Sequence, residues 1–143
     1  MSIAGATVNW NGTTASTLSS LDLSSGTLQG SGDVSVTGTT TWSGGTIAAG
    51  GSFQSGTVAF TGAGTMLLDG KALTLTGTSN TWSGNGTIDL ANAAVLTNNG
   101  TLTVSGDGTM TDLPSSFFVN NGLFRKNGGA GTTSVTGSLL DVT

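Results

Sequence analysis

The chain has 143 residues, the size of one domain, and only 7% of them are charged, against about 25% in an average soluble domain. It contains 25 Gly and 27 Thr, carries a net charge of −4, and has no His, Cys or Tyr. All seven acidic residues are Asp, so the catalytic groups that proteins build on His, Cys, Tyr or Glu are excluded, as is any disulfide framework.

The abundant residues favour strands over helices. Thr, Ser, Gly and Asn are poor helix formers, whereas the Val, Leu, Ile and Phe residues suit a pleated surface. No run of 18 apolar residues could span a membrane, and residues 1–10 lack the basic and apolar regions of a signal peptide. We expect one all-β domain over residues 1–143, taken from a longer repeat protein.

A short motif of Gly, Thr and an apolar residue recurs along the whole chain. Its copies are Ala6–Val8, Gly26–Leu28, Gly45–Ile47, Gly64–Met66, Gly86–Ile88, Gly108–Met110 and Gly131–Thr133. Between copies lie two alternating apolar–polar runs separated by Gly-, Asn- and Asp-rich turns, which are strand and turn signals. Three short strands in about 20 residues make one coil of a β-solenoid, so we predict about seven coils of 19–23 residues.

Equivalent positions of stacked coils should form apolar columns inside the solenoid. One predicted column contains Leu23, Trp42, Phe60, Trp82, Val104 and Phe124. A second contains Leu28, Ile47, Met66, Ile88 and Met110. A third, less regular, contains Val36, Phe53, Leu75, Leu96 and Val119. Three columns predict a roughly triangular section around a dry core.

The stretch ALTLTGTSNTWSGNGTI resembles the autotransporter-associated β-strand repeat of bacterial passenger domains. The positions that fit the order of that repeat are Leu73, Leu75, Gly77, Asn80, Trp82, Gly84 and Ile88. The later stretch FFVNNGLFRKNGGAGTTSV is similar to repeats of filamentous haemagglutinin-like surface proteins. The resemblance implies a right-handed solenoid that is exported to the bacterial cell surface, and it carries no catalytic residue, cofactor or ligand with it.

The charged residues provide little chemistry. The carboxylates are Asp22, Asp33, Asp69, Asp89, Asp107, Asp112 and Asp141, and most lie beside Gly or in turns, where Asp stabilises its own backbone. Asp69 and Lys71 could form an exposed ion pair. A single GSGDVSV segment is too little for a calcium site, and the basic spot at Arg125–Asn127 is too small for nucleic acid. We therefore expect no enzyme activity, metal or cofactor.

Alternating Thr residues suggest a second function. Thr74 and Thr76, and Thr101 and Thr103, flank Leu residues in two strands, so their side chains share the outer surface. Rows of Thr on a flat face can bind ice or a repeating polysaccharide, although Thr is also a common strand residue.

We expect a structural role: a rigid shaft, spacer or adhesin passenger of a secreted or cell-surface bacterial protein. The alternative is a glycan- or ice-binding module that uses Thr and Asn rows of one face. Expected partners are glycans or other cell-surface molecules, and unpaired end coils could allow end-to-end self-association.

Overall fold

The computed structural model describes residues 1–137 and the backbone of residues 139–141, and all of the regular structure in this part of the chain is β-strand. The strands in chain order are β1 (Ser2–Ile3), β2 (Thr7–Asn9), β3 (Ser16–Leu18), β4 (Leu21–Leu23), β5 (Thr27–Gln29), β6 (Val34–Trp42), β7 (Gly45–Ala48), β8 (Ser52–Phe60), β9 (Thr65–Asp69), β10 (Ala72–Leu75), β11 (Asn80–Trp82), β12 (Thr87–Ala91), β13 (Val95–Asn98), β14 (Thr101–Val104), β15 (Thr109–Asp112), β16 (Phe117–Asn120), β17 (Leu123–Lys126), β18 (Ser134–Thr136) and β19 (Leu139–Asp141).

The strands form two parallel sheets that stack coil upon coil. The smaller sheet has seven strands in the order β18-β15-β12-β9-β7-β5-β2. Six of them contain residues of the Gly-Thr-apolar motif, and β18 begins directly after the last copy, Gly131–Thr133. Each motif therefore starts one layer, which confirms the solenoid predicted from the repeat. Seven layers are joined by about six turns of the chain, slightly fewer than the seven coils expected.

The larger sheet has 12 strands and contains two columns side by side. Column A contains β3, β10, β13, β16 and β19, and column B contains β1, β4, β11, β14 and β17. The nine-residue strands β6 and β8 run through both columns, and their pairing is interrupted by an irregularity between Val36 and Thr39. With the smaller sheet, the two columns give three strand positions per coil.

The core lies between these three columns and is filled by alternate residues of each strand. The ten residues with the most regular predicted spacing are all buried, with at most 1% of their surface exposed. They are Leu23, Trp42, Phe60, Trp82, Val104, Leu28, Ile47, Met66, Ile88 and Met110. The Trp42 and Phe60 rings lie with centroids 5.9 Å apart, so aromatic side chains of successive coils are in contact.

The second predicted column is wrong at one step. Ile47 pairs with Leu68, whereas Met66 lies beside Gly45. Above this step Met66, Ile88 and Met110 stack as predicted. A two-residue shift keeps the inward alternation, so Met66 is buried even though its neighbour differs.

Four further residues of the predicted columns differ in register: Phe124, Val36, Leu75 and Val119. Val104 stacks on Lys126, and Phe124 instead pairs with Leu102. In column A the inner row runs through Val34, Phe53, Leu73, Leu96 and Phe118. Val36 and Leu75 belong to the neighbouring inner row, two residues along. Val119 pairs with Thr97 on the outer surface, because a slip of one residue reverses a strand side chain.

Polar side chains are buried where the two columns of the larger sheet meet. Ser55 and Thr40 are hydrogen-bonded with their oxygens 2.9 Å apart. Asn98 donates to the side chain of Asn120 at 2.8 Å. Asn80 accepts from the Val58 amide and donates to the Gly77 carbonyl. These bonds satisfy the polar groups of the inner corner, so the strands can turn there without losing contact with the next coil.

Candidate functional site

One polar surface of the solenoid is the outer side of column B, which we call the threonine face. Its central row runs through Asp22, Thr41, Ala59, Thr81, Thr103 and Arg125. Beside it, Thr39 pairs with Thr57 and Thr101 pairs with Leu123. Hydroxyl groups therefore repeat along the strands and across the coils, about 4.8 Å apart between coils.

The four predicted threonines do not form one row. Thr101 and Thr103 lie on β14 in the threonine face. Thr74 lies on β10 in column A, between Gln54 and Thr97. Thr76 follows β10 and donates its hydroxyl to the Ser55 carbonyl at 2.9 Å. The pattern of alternation identified outward positions correctly, but it carried no information about which column each strand joins.

Thr81 is the member of this face that the sequence analysis missed. It lies on the short strand β11, directly between Ala59 and Thr103. The signal was present, since Thr81 precedes the buried Trp82 and must therefore point outward. Aligning the Trp and Phe column would have placed Thr41, Thr81 and Thr103 together.

Charge is confined to the two ends of the central row. Asp22 occupies one end and Arg125 the other. Arg125 donates through Nε to the Thr103 hydroxyl at 3.1 Å. The three positions between Asp22 and Thr103 are Thr41, Ala59 and Thr81, so the centre of the face offers neutral hydroxyl and methyl groups only.

The smaller sheet carries a second set of Thr residues on its outer side. Thr65, Thr87, Thr109 and Ser134 form one row in register. The neighbouring row contains, in register, Thr7, Thr27, Thr46, Leu67, Asp89, Thr111 and Thr136. Thr111 donates its hydroxyl to Asp89. The smaller sheet therefore also presents threonines in register, with a leucine and a carboxylate in the middle of this row.

Two lysines that the sequence placed on the surface have structural partners. The expected ion pair between Lys71 and Asp69 is wrong: Lys71 is buried and donates to backbone carbonyls, while Asp69 accepts from Asn92. Lys126 forms a salt bridge of 2.8 Å with Asp107. The two cations of the predicted basic spot therefore lie in different places. Arg125 lies on the threonine face, whereas Lys126 is paired with Asp107.

Among the described Asp residues, Asp33 and Asp107 lie in turns, as expected, whereas Asp22, Asp69, Asp89 and Asp112 lie in strands. Hydrogen bonds from the Ser52 amide and hydroxyl lower the pKa of Asp33. The Lys126 ammonium and the Gly131 amide lower the pKa of Asp107. Stabilised carboxylates of this kind are poor general acids and bases at neutral pH. The side chain of Asp141 lies outside the described residues.

Within the described part of the chain, no three His, Cys, Asp or Glu residues are grouped to hold a metal ion. A small concavity is lined by Leu90, Met110, Asp112 and Phe118.

Comparison with known proteins adds no relative: no protein-family model, curated protein or solved structure matches this chain. The described residues contain no helix long and apolar enough to cross a membrane. The fold alone defines the class, which is that of the β-solenoid repeat proteins.

Proposed function

We propose that this chain is a structural segment, a rigid shaft or adhesin passenger, of a secreted or cell-surface bacterial β-solenoid protein. The observation that carries the proposal is the continuity of the core. Buried side chains stack through every layer, from Ile3 in β1 to Phe118 in β16. Such a stack resists bending, because each coil is held by backbone hydrogen bonds and apolar contacts to both neighbours.

The outer surface supports the same role. It is dominated by small hydroxyl and amide side chains, and the few carboxylates are spread over strands and turns. The resemblance of residues 72–88 and 117–135 to autotransporter and haemagglutinin-like repeats favours the cell surface as its location. A shaft needs stability and solubility along its length, and it has no need of a pocket or of reactive groups.

Rigidity can be measured along the threonine face. Asp22→Cys and Arg125→Cys place spin labels at the two ends of one register row, and the chain has no native Cys to compete. Five steps of about 4.8 Å predict a narrow distance distribution centred near 24 Å, measured by pulsed electron resonance. A broad distribution in a folded sample would contradict the shaft.

A second candidate, a glycan- or ice-binding module, is favoured by the neutral centre of the threonine face. Thr81→Lys would place a charge in the middle of that face, whereas Thr97→Lys places the same charge on column A as a matched control. A glycan array, insoluble polysaccharides and an ice-shaping assay are the readouts. Binding lost only in Thr81→Lys would support recognition. A blank from folded, protease-resistant protein would favour the shaft.

A further inference from the structure

Lys71 directs its ammonium group into the solenoid. Nζ donates to the Gly50 carbonyl at 2.6 Å, to the Gly30 carbonyl at 3.0 Å and to the Ala49 carbonyl at 3.3 Å. Gly30 lies 41 residues earlier in the chain, so one side chain connects segments of three coils. Only 2% of the surface of Lys71 is exposed.

The neighbouring coils leave space for this side chain. Lys71 precedes β10, and the residue that precedes the paired strand β8 is Gly51. On the other side, the buried Ala94 and Ser116 precede β13 and β16. A long side chain therefore occupies a corner position that small residues fill elsewhere.

The backbone is shaped to present oxygens to this point. Ala49 has a φ of 62°, a left-handed conformation that is unfavourable for a residue with a Cβ atom. Its carbonyl and that of Gly50 both face Nζ as a result. Burial lowers the pKa of Lys71, and the Asp33 carboxylate raises it. The three carbonyl acceptors also favour the charged ammonium.

We propose that the carbonyl groups of Gly30, Ala49 and Gly50 form a binding site for a primary ammonium group, which Lys71 fills from within the chain. The site has two features that suit such a cation: three oxygen acceptors around Nζ and a buried path that an unbranched carbon chain already occupies. Filling it joins the second, third and fourth layers of the solenoid from inside. This inference does not depend on the proposed function.

Two variants separate the ammonium from its carbon chain. Lys71→Met keeps an unbranched side chain but removes the donors, and we expect its thermal midpoint to fall by about 5–10 °C, since three carbonyls lose a charged partner. Lys71→Ala leaves a channel of the size of n-propylammonium. At about 0.1 M that ion should raise the midpoint of Lys71→Ala by about 3 °C, as expected for a site with a Kd of about 30 mM.

The controls test charge, shape and position. 1-Propanol has the chain without the charge, and tetramethylammonium has the charge without N–H donors. Lys126→Ala removes a lysine whose side chain is 32% exposed. We expect n-propylammonium to leave the thermal midpoint of this variant unchanged. Equal stability of Lys71→Met and wild type would overturn the proposal, as would equal effects of n-propylammonium and 1-propanol. If Lys71→Ala does not fold alone, its refolding yield with each additive is compared in the same way.

Discussion

At the scale of single residues, the three basic side chains show that the stacking of neighbouring coils determines the contacts of each side chain. Lys71 is enclosed by carbonyls of earlier coils, Lys126 pairs with Asp107, and Arg125 lies on the outer surface. The partners of Lys71 lie 21 to 41 residues away in sequence. No local pattern indicates them, so the sequence analysis placed all three cations on the surface.

Asp107 gives an acid-dependent prediction. The pKa of Asp107 is lowered in the folded chain by Lys126 and by the Gly131 amide. The ionised carboxylate therefore stabilises the fold above its unfolded pKa, near 4, and this stabilisation is lost as the pH falls through its folded pKa. We expect Asp107→Asn to lose less stability than wild type between about pH 4.5 and 2. Chemical denaturation across this range measures the difference.

The control for Asp107 is Asp22→Asn, since Asp22 is exposed on the outer side of β4. The explanation based on the Lys126 pair is incorrect if Asp107→Asn and wild type lose stability in parallel.

Asn80 is the residue whose loss should be most costly at the inner corner. It is fully buried, accepts from the Val58 amide at 2.9 Å, and donates to the Gly77 and Thr101 carbonyls at 2.6 and 3.2 Å. Asn80→Leu leaves the Val58 amide without this partner and removes two further side-chain hydrogen bonds, so we expect a loss of about 2–4 kcal/mol in the free energy of unfolding.

Urea unfolding measures the free energy of unfolding of Asn80→Leu and of a control variant, Asn99→Ala. Asn99 is exposed and accepts from Asn121, so its loss should cost about 0.5 kcal/mol or less. Similar losses in the two variants would show that Asn80 does not connect the coils as described.

At the scale of elements, the sequence predicted the existence of strands better than their partners. The Gly-Thr-apolar motif located six of the seven strands of the smaller sheet and ended just before the seventh, because a turn followed by alternation is a local signal. Register depends on the length of the intervening turns, which is not local. The motif spacing thus missed the step from Ile47 to Leu68 and the pairing of Met110 with Val135 rather than Thr133.

The corner between the columns of the larger sheet requires glycine. A Cβ atom on Gly100 would overlap the carbonyl oxygen of Gly77, and one on Gly77 would overlap that of Gly56. The same contact recurs between Gly122 and Gly100. Because the obstructing atoms are backbone, we expect Gly100→Ala to lower the free energy of unfolding by about 1–3 kcal/mol.

Gly64→Ala is the matched control for this corner. A Cβ atom on Gly64 meets nothing within 4 Å, so this change should be close to neutral. Thermal unfolding of Gly100→Ala and Gly64→Ala compares their midpoints and tests this prediction. Near-equal midpoints would mean that the coils separate easily at the corner, and that the close backbone contact is not essential.

At the scale of the whole molecule, the fold follows from repetition, whereas the function does not. The period and alternation predict a stack with an apolar interior, and the ten best-aligned core residues are buried. A binding face depends on which outward residues share a row. That depends on register, so Thr74 and Thr101 were grouped together although they lie in different columns.

A shaft built from equivalent layers should accept an additional one. Thr87 pairs with Thr109, so residues 87–108 form one complete coil, and duplicating this block stacks each inner residue on its own copy. Solenoid stability is close to a sum over neighbouring layers, so the longer chain should unfold at the wild-type temperature or above it. The distance between labels at positions 22 and 125 of the original chain should grow by about 4.8 Å.

The matched control inserts an equal number of residues, 22, as two extra copies of the half-coil 98–108. This insertion places strands of the threonine face where turns belong. That chain should melt earlier and give a broad distance distribution. If the two insertions behave alike, the layers are not interchangeable, and a role as an extendable spacer is wrong.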